Sequence, residues 1–316
     1  MRAPDFWQRG GLAAALLSPL GALYGMSVAF KARHAKPFDP GMPVICVGNL
    51  TAGGSGKTPV AIAIAQTLRA GGHTPYFLTR GYGGSEHGPA LAARGHSAKV
   101  MGDEALLLAR AAPTIVARDR AAGARLAKEK GATVLVMDDG HQNFSLRKSL
   151  SLVVVDAETG FGNDFQIPAG PLREPVAQGL ARADAVVLVG DGAPDLQTFR
   201  GHVLRAHLKA DGAAFAGKPV FAFAGIGRPE KFVASLQDSG AIVTGSCFFA
   251  DHHPYGEEDL VQLRAVAGNA ILVTTEKDFV RLTTGEREGI RTLKVAAVFD
   301  DVSAMGRLLD SVAPRP

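Results

Sequence analysis

A doubly wound, mostly parallel α/β sheet is the fold this sequence predicts, and three observations predict it. Short apolar runs alternate with helix-like stretches from about residue 43 onward. The runs are continuously apolar rather than alternating, as strands buried on both faces are. A glycine-rich loop follows the first run directly, where such folds place a ligand.

In chain order, the first feature is an uncharged stretch from Gly10 to Phe30. As a helix it would extend about 30 Å, the thickness of a bilayer's hydrocarbon core. Pro19 and several glycines disfavour a straight span, so an anchor dipping into the membrane is expected over residues 1–36. Ser27-Val28-Ala29 also resembles a signal cleavage site. Against that, Lys31, Arg33 and Lys36 follow closely, a flank that keeps the C-terminal side in the cytoplasm.

After a linker near residues 35–42, strands are predicted at PVICVG from Pro43, PYFLTR from Pro75, TIVA from Thr114, TVLVMDD from Thr133, SLVVVD from Ser151 and AVVLVG from Ala185. PVAIAIAQTLRAGG, GDEALLLARAA and DRAAGARLAKEKG between them carry Ala, Leu, Lys and Arg at helical spacing. These define a larger unit, residues 37–210. Near HVLRAHLKADGAAFAGKPVF two short segments joined through Asp211-Gly212 suggest a hairpin. A smaller α/β unit, residues 211–316, then follows with strands at VFAFAG, AIVTGSCFFA, AILVTTEK and LKVAAVF, separated by helices and closed by one more.

Length and composition narrow the function. The 316 residues suffice for two domains, and 47% hydrophobic with 20% charged residues is a folded composition. Two cysteines, Cys46 and Cys247, both in apolar runs, exclude a disulfide framework and a cysteine-based metal site. A net charge of +4 without a basic tract, and with few aromatics, argues against nucleic acid and leaves acidic small molecules or anionic membranes. No protein partner is inferred.

LTAGGSGKTP, Leu50 to Pro59, carries the strongest chemical signal. Between a strand and a helix, Thr51, Ala52, Gly53, Gly54, Ser55 and Gly56 would offer backbone N–H groups to a polyphosphate. Lys57 would reach the outer phosphates and Thr58 would bind Mg²⁺. Pro59 suits the first turn of that helix. Asp138 and Asp139, ending the strand TVLVMDD, fall on the same sheet edge and are candidate metal acids, with the choice between them open.

VGNLTAGGSGKTP, RGYGG, GDEALLLA, DDGHQN, IPAGPLREP, FADHH and VTTEKD, in this order, resemble the tetraacyldisaccharide 4′-kinases of lipid A biosynthesis over nearly the whole chain. Thr51 at the first loop position belongs to that family's own version of the loop. The family's usual DDG-x-Q-H departs here: His141 precedes Gln142, and Asn143 follows it. The resemblance implies transfer of the γ-phosphate of ATP, with Mg²⁺, to the 4′-hydroxyl of a tetraacyl glucosamine disaccharide 1-phosphate. The expected place is the cytoplasmic face of the inner membrane.

Mapped by motif, the resemblance implies Asp103 as the catalytic carboxylate that takes the sugar hydroxyl's proton, and His252 as its orienting partner. Asp103 also reads as a helix N-cap before EALLLA, and both roles are compatible. In IPAGPLREP, Arg173 is a candidate for phosphate and Glu174 for a second Mg²⁺. Arg80 in RGYGG is a candidate for phosphate or a lipid headgroup, and Gln142 for substrate. Thr274 to Asp278 reads equally as a cleft-facing segment or a salt-bridged turn and is given no catalytic role. Two rivals stand beside the kinase: a P-loop enzyme with another acceptor, and a nucleotide-hydrolysing switch. An N-K-x-D signature for guanine is absent from the sequence.

Overall fold

The computed structural model describes residues 4–93, 95–196 and 199–315. Helices α1 (Phe6–Arg9) and α2 (Leu12–His34) come first. Among the described residues, α2 is the helix long and apolar enough to cross a membrane. One side exposes Leu12, Leu16, Leu20, Leu23, Met26 and Phe30, whereas Ala14, Gly21, Gly25 and Val28 are buried against the protein. A Cβ at Gly21 would meet the Gln166 carbonyl oxygen at 2.7 Å, so only glycine admits this approach. The buried positions recur from Ala14 to Val28, so α2 lies along the body instead of projecting from it.

The first half of the sheet follows: β1 (Val44–Gly48), α3 (Lys57–Ala70), β2 (Pro75–Thr79), β3 (Ala90–Ala92), α4 (Ala98–Met101), α5 (Asp103–Ala109), β4 (Thr114–Val116), α6 (Arg120–Glu129), β5 (Val134–Asp138), β6 (Leu150–Asp156), α7 (Val176–Leu180), β7 (Ala185–Val189) and β8 (His202–Asp211). The second half comprises a short 3-10 turn (Ala213–Phe215), β9 (Pro219–Ala224), α8 (Pro229–Asp238), β10 (Ile242–Phe248), α9 (Glu257–Ala267), β11 (Ile271–Thr275), α10 (Glu276–Phe279), β12 (Ile290–Phe299) and α11 (Val302–Asp310). Each predicted strand and helix has a counterpart here. The three-residue β3 and the single-turn α4 are too short to leave a periodic signal.

All strands join one 12-stranded sheet in the order β10-β9-β11-β12-β8-β7-β6-β1-β5-β2-β4-β3. Strands β1, β2, β5 and β6 are buried at nearly every position, which matches their unbroken apolar runs. Helices α3 and α11 cover one face: Ile64, Leu68, Met305 and Leu309 share a core with Ile45, Phe77 and Val136. On the opposite face α6 packs Ala124 and Ala127 among Cys46, Leu78 and Leu135. Strand β1 pairs in parallel with both β5 and β6, so successive strands are laid down on either side of it. The crevice at its carboxyl end is the switch point where open α/β sheets bind ligands.

Two expectations are corrected. The segment around Asp211-Gly212 is not a hairpin: β8 runs unbroken to Asp211, and the following strand β9 pairs with β10 and β11 instead. Partnership decides this, because β8 finds an antiparallel neighbour in the distant β12. The C-terminal stretch also does not stay with the second half. β12 returns to β8, and Met305, Leu309 and Ala313 enter the core of the first half. Because β8 and β12 are antiparallel, the two parallel halves run in opposite senses. Their carboxyl ends nonetheless meet, through Arg228–Asp156 at 2.7 Å and Arg281–Asp103 at 2.6 Å, which requires the sheet to twist through the β8–β12 pair.

Candidate active site

The phosphate loop bridges β1 and α3 and is shaped from inside by a side chain the sequence reading did not single out. Asn49, fully buried, donates from Nδ2 to the Thr51 carbonyl (2.7 Å) and to Ser55 Oγ (3.2 Å). A short ladder from residues 163–175 braces the loop from outside: the Ala52 N–H donates to the Pro171 carbonyl, and the Arg173 N–H to the Leu50 carbonyl, each at 2.7 Å. Gly53 (φ 115°) and Gly56 (φ 85°) turn the chain into α3, whose first residues are Lys57 and Thr58. The helix's unpaired N–H groups thus face the crevice.

Both aspartates lie against this loop, in different states. Thr58 Oγ1 donates to Asp138 Oδ2 at 3.0 Å, and Asp138 Oδ1 is buried with no hydrogen-bond partner. Burial, reinforced by the negative charge of Glu104, pushes the Asp138 carboxyl up to about 7. A buried hydroxyl–carboxylate pair with one orphan oxygen is the donor set a hard divalent cation takes, so Thr58 and Asp138 fit Mg²⁺. Asp139 instead pairs with Lys57 Nζ (3.6 Å) and Arg173 Nη1 (2.7 Å). Burial opposes its ionisation, but those two cations outweigh it and hold the carboxyl below its usual range. Its φ of 54° is left-handed, a conformation retained only where surrounding contacts impose it.

Behind the aspartates the following GHQN residues, Gly140 to Asn143, bond to the protein itself. Gln142 Nε2 donates to the Asn49 carbonyl and to Glu174 Oε1, each at 2.9 Å, and Glu174 Oε2 pairs with Arg182. Glu174, the expected ligand of a second Mg²⁺, has a side chain 2% exposed, and both of its oxygens have protein partners in this arrangement. Gln142 is likewise engaged with protein groups rather than presented to a substrate. His141 is fully buried, with Nε2 at 3.0 Å from the Gly179 carbonyl and Nδ1 at 3.2 Å from Ser151 Oγ. The carbonyl can only accept, so the proton sits on Nε2 and the serine hydroxyl donates to Nδ1. Burial, aided by Lys148 and Arg182, pushes the imidazole down to about 3. Asn143 Oδ1 accepts from the Ser145 N–H and hydroxyl in a local turn.

Arg80 is exposed just past the end of β2. Its charge acts on Arg120, a buried arginine at the start of α6 without a signal in the sequence beyond the Asp119 cap before it. Burial, together with Arg80, lowers the Arg120 guanidinium to about 10, and its Nε has no partner. Asp139 and Asp138 also act on Arg120, and a guanidinium beside the aspartates suits a site that receives phosphate oxygens.

The second cluster is assembled from both halves of the sheet. Asp103 is the first residue of α5 rather than its cap. Gly102 takes the cap position at φ 86°, where a Cβ would meet the Tyr82 carbonyl oxygen at 2.6 Å. Asp103 Oδ1 accepts the Glu104 N–H at 2.9 Å. Oδ2 meets His252 Nδ1 at 2.9 Å and accepts from Arg281 Nε (3.0 Å) and Nη2 (2.6 Å). Burial would raise this carboxyl, but the His252 hydrogen bond, Lys277 and Arg281 together hold it far below the carboxylate range. His252 also has a left-handed φ, 61°, and its Nε2 lies 3.4 Å from Lys277 Nζ. The Asp103 side chain is 4% exposed and that of His252 36%, so the histidine is the dyad's open face. The ring of Tyr82 stands edge-on to it at 6.0 Å. The adjacent His253 is turned away, bonded to Asp259 Oδ2 at 2.9 Å and stacked on Phe249.

Comparison with known proteins bears on both clusters. A family profile described as tetraacyldisaccharide-1-P 4′-kinase, LpxK, matches residues 13–313. The tetraacyldisaccharide 4′-kinase of Paramagnetospirillum magneticum is 50% identical, with all of both chains covered. That of Rhodospirillum rubrum is 47% identical, covering 98% of this chain and 97% of its own. Among solved structures, LpxK from Aquifex aeolicus in complex with ATP superposes with a TM-score of 0.77 at 25% identity, covering 96% of this chain and all of that one.

Proposed function

The chain belongs to the tetraacyldisaccharide-1-P 4′-kinase family, and from that premise we propose how its side chains divide the work. The reaction is transfer of the γ-phosphate of ATP to the 4′-hydroxyl of a tetraacyl glucosamine disaccharide 1-phosphate, the lipid A kinase step. The loop from Gly53 to Thr58 binds the polyphosphate through its N–H groups, the Ala52 N–H being bonded to the Pro171 carbonyl, and Lys57, Arg173 and Arg120 supply positive charge around it. Thr58 and Asp138 would hold Mg²⁺, which would supply charge neutralisation to the transferred phosphate. Asp139 is ligated by Lys57 and Arg173 and keeps both aimed at the phosphates.

The observation that carries the acceptor side is the Asp103–His252 contact at 2.9 Å. Asp103 is too enclosed to touch a sugar, so His252 Nε2 receives the hydroxyl proton as the P–O bond forms, and the acceptor displaces Lys277 from that atom. Asp103 accepts from Nδ1–H and stabilises the imidazolium. These roles invert the assignment the resemblance suggested, in which Asp103 took the proton. Tyr82 flanks the place where the sugar would arrive. The exposed apolar side of α2 supports attachment to a membrane, and in this reading that membrane is the inner one, met from its cytoplasmic face beside the acylated substrate.

The test uses γ-labelled ATP with the acylated disaccharide 1-phosphate in detergent micelles. Label should enter the lipid in the parent protein and not in His252→Ala. Label released only as free phosphate would favour a hydrolytic switch, and full turnover on a soluble sugar after removal of residues 1–34 would refute the membrane reading.

A further inference from the structure

Apart from Lys277, the segment from Thr275 to Arg281 has no role in the reading above, yet its charged side chains converge on the dyad or on its supports. Glu276 faces Arg110, the residue that caps α5, at 3.6 Å, and Lys277 lies between His252 Nε2 (3.4 Å) and Glu104 (4.0 Å). Asp278 is fully buried and fixed by donors from several directions. Its Oδ1 accepts the Gly225 N–H (3.0 Å), the Tyr255 hydroxyl (3.0 Å) and Arg281 Nη1 (2.7 Å), and its Oδ2 the Thr275 hydroxyl (2.6 Å). Arg281, with a side chain 6% exposed, is thereby gripped from the second half of the sheet. Its remaining edge, Nε and Nη2, reaches across to Asp103 Oδ2.

We propose that Arg281, anchored by Asp278, is a positioning residue for phosphoryl acceptance: it fixes the Asp103 carboxylate so that His252 Nε2 is aimed at the acceptor hydroxyl. The proposal rests on the dyad reading above. Stability alone does not account for the arrangement, because an enclosed carboxylate–guanidinium–carboxylate chain gains little over apolar side chains of similar volume. Geometry accounts for it better. Oδ2 receives both Arg281 bonds and the His252 bond, so rotation of the carboxylate would break several contacts at once. Charge acts in the same direction: the Arg281 guanidinium offsets the negative charge of the carboxylate that faces the imidazole. The charged and titratable groups facing the dyad are Glu104, Lys277, Asp278, Arg281, Asp251 and Tyr82.

Arg281→Met and Arg281→Lys in the full chain, assayed with ATP and the acylated acceptor across pH, test this. Arg281→Met should lower kcat about 100-fold with the KM for ATP unchanged. The acid limb of kcat should move up by about one pH unit, because His252 next to an uncompensated Asp103 binds its proton more tightly. Arg281→Lys keeps the charge and should recover most of both effects. If Arg281→Met fails to fold, the neutral pair Arg281→Met/Asp278→Asn carries the same readouts. Parental kcat and an unmoved limb, or a lowered kcat with an unmoved limb and no recovery in lysine, would overturn the proposal while Asp103→Ala remains inactive. Activity surviving Asp103→Ala or His252→Ala would instead overturn the dyad reading itself.

Discussion

The phosphate loop draws its backbone from a single run between β1 and α3, whereas the dyad takes Asp103 from one half of the sheet, His252 from the other and Arg281 to lock them. In the first region the loop is shaped chiefly from within, Asn49 reaching only to Thr51 and Ser55, with Pro171 bracing it at Ala52. In the second, a 2.9 Å contact depends on the twist of the whole sheet through β8 and β12. Local construction gives the donor nucleotide a preformed cradle, and long-range construction makes the acceptor end sensitive to how the two halves sit.

Substitutions at the two regions should therefore fail differently. The largest contrast is between Lys57→Ala and Asp103→Ala. The first should abolish measurable nucleotide binding, and the second should cut kcat about 10³-fold while ATP still binds with parental affinity in calorimetry. Loss of ATP affinity in Asp103→Ala would erase the division. A second test concerns the scaffold under the donor region. His141 is held neutral with its pKa lowered from 6.5 to about 3, so the unfolded chain takes up a proton that the folded one refuses as pH falls below 6.5. Stability should drop by about 1.4 kcal/mol per pH unit in that window, and His141→Asn should flatten the slope in urea titrations. The smallest effect is expected at the cleft rim. Arg228–Asp156 and Lys231–Glu158 join the halves near solvent, and Arg228→Ala or Lys231→Ala should each change stability by no more than about 1 kcal/mol. A many-fold loss of kcat in either would mean that the rim, and not Arg281, aligns the halves.

The same contrast decided what could be read from the sequence. Strands β1, β2, β5, β6 and β7 were legible because burial on both faces leaves an unbroken apolar run, and the phosphate loop because its residues are contiguous. Asp103 and His252 were reached only through resemblance, since no spacing along the chain encodes a contact across 149 residues. Arg281 and Arg120 carried no local signal, and their roles depend on which enclosed carboxylates or orphan nitrogens surround them. The partners of Glu174, Gln142 and Arg182, were not legible because a rigid loop gives no sign of which way its acid points. Asp211-Gly212 misled for a related reason: turn chemistry is local, whereas the partner of β8 lies more than 80 residues away.

Residues 163–175 touch the N-terminal helices on one side and the phosphate loop on the other. Asn163 bonds the Phe6 and Trp7 carbonyls, Gln166 backs Gly21, and Pro171 holds Ala52. This path is short and rigid, so the height of the catalytic crevice above whatever surface receives Leu12, Leu16 and Leu20 is fixed by the fold. An acceptor has to lift its sugar to that level with its tails still immersed, and the enzyme thus gauges its substrate by elevation as well as by shape.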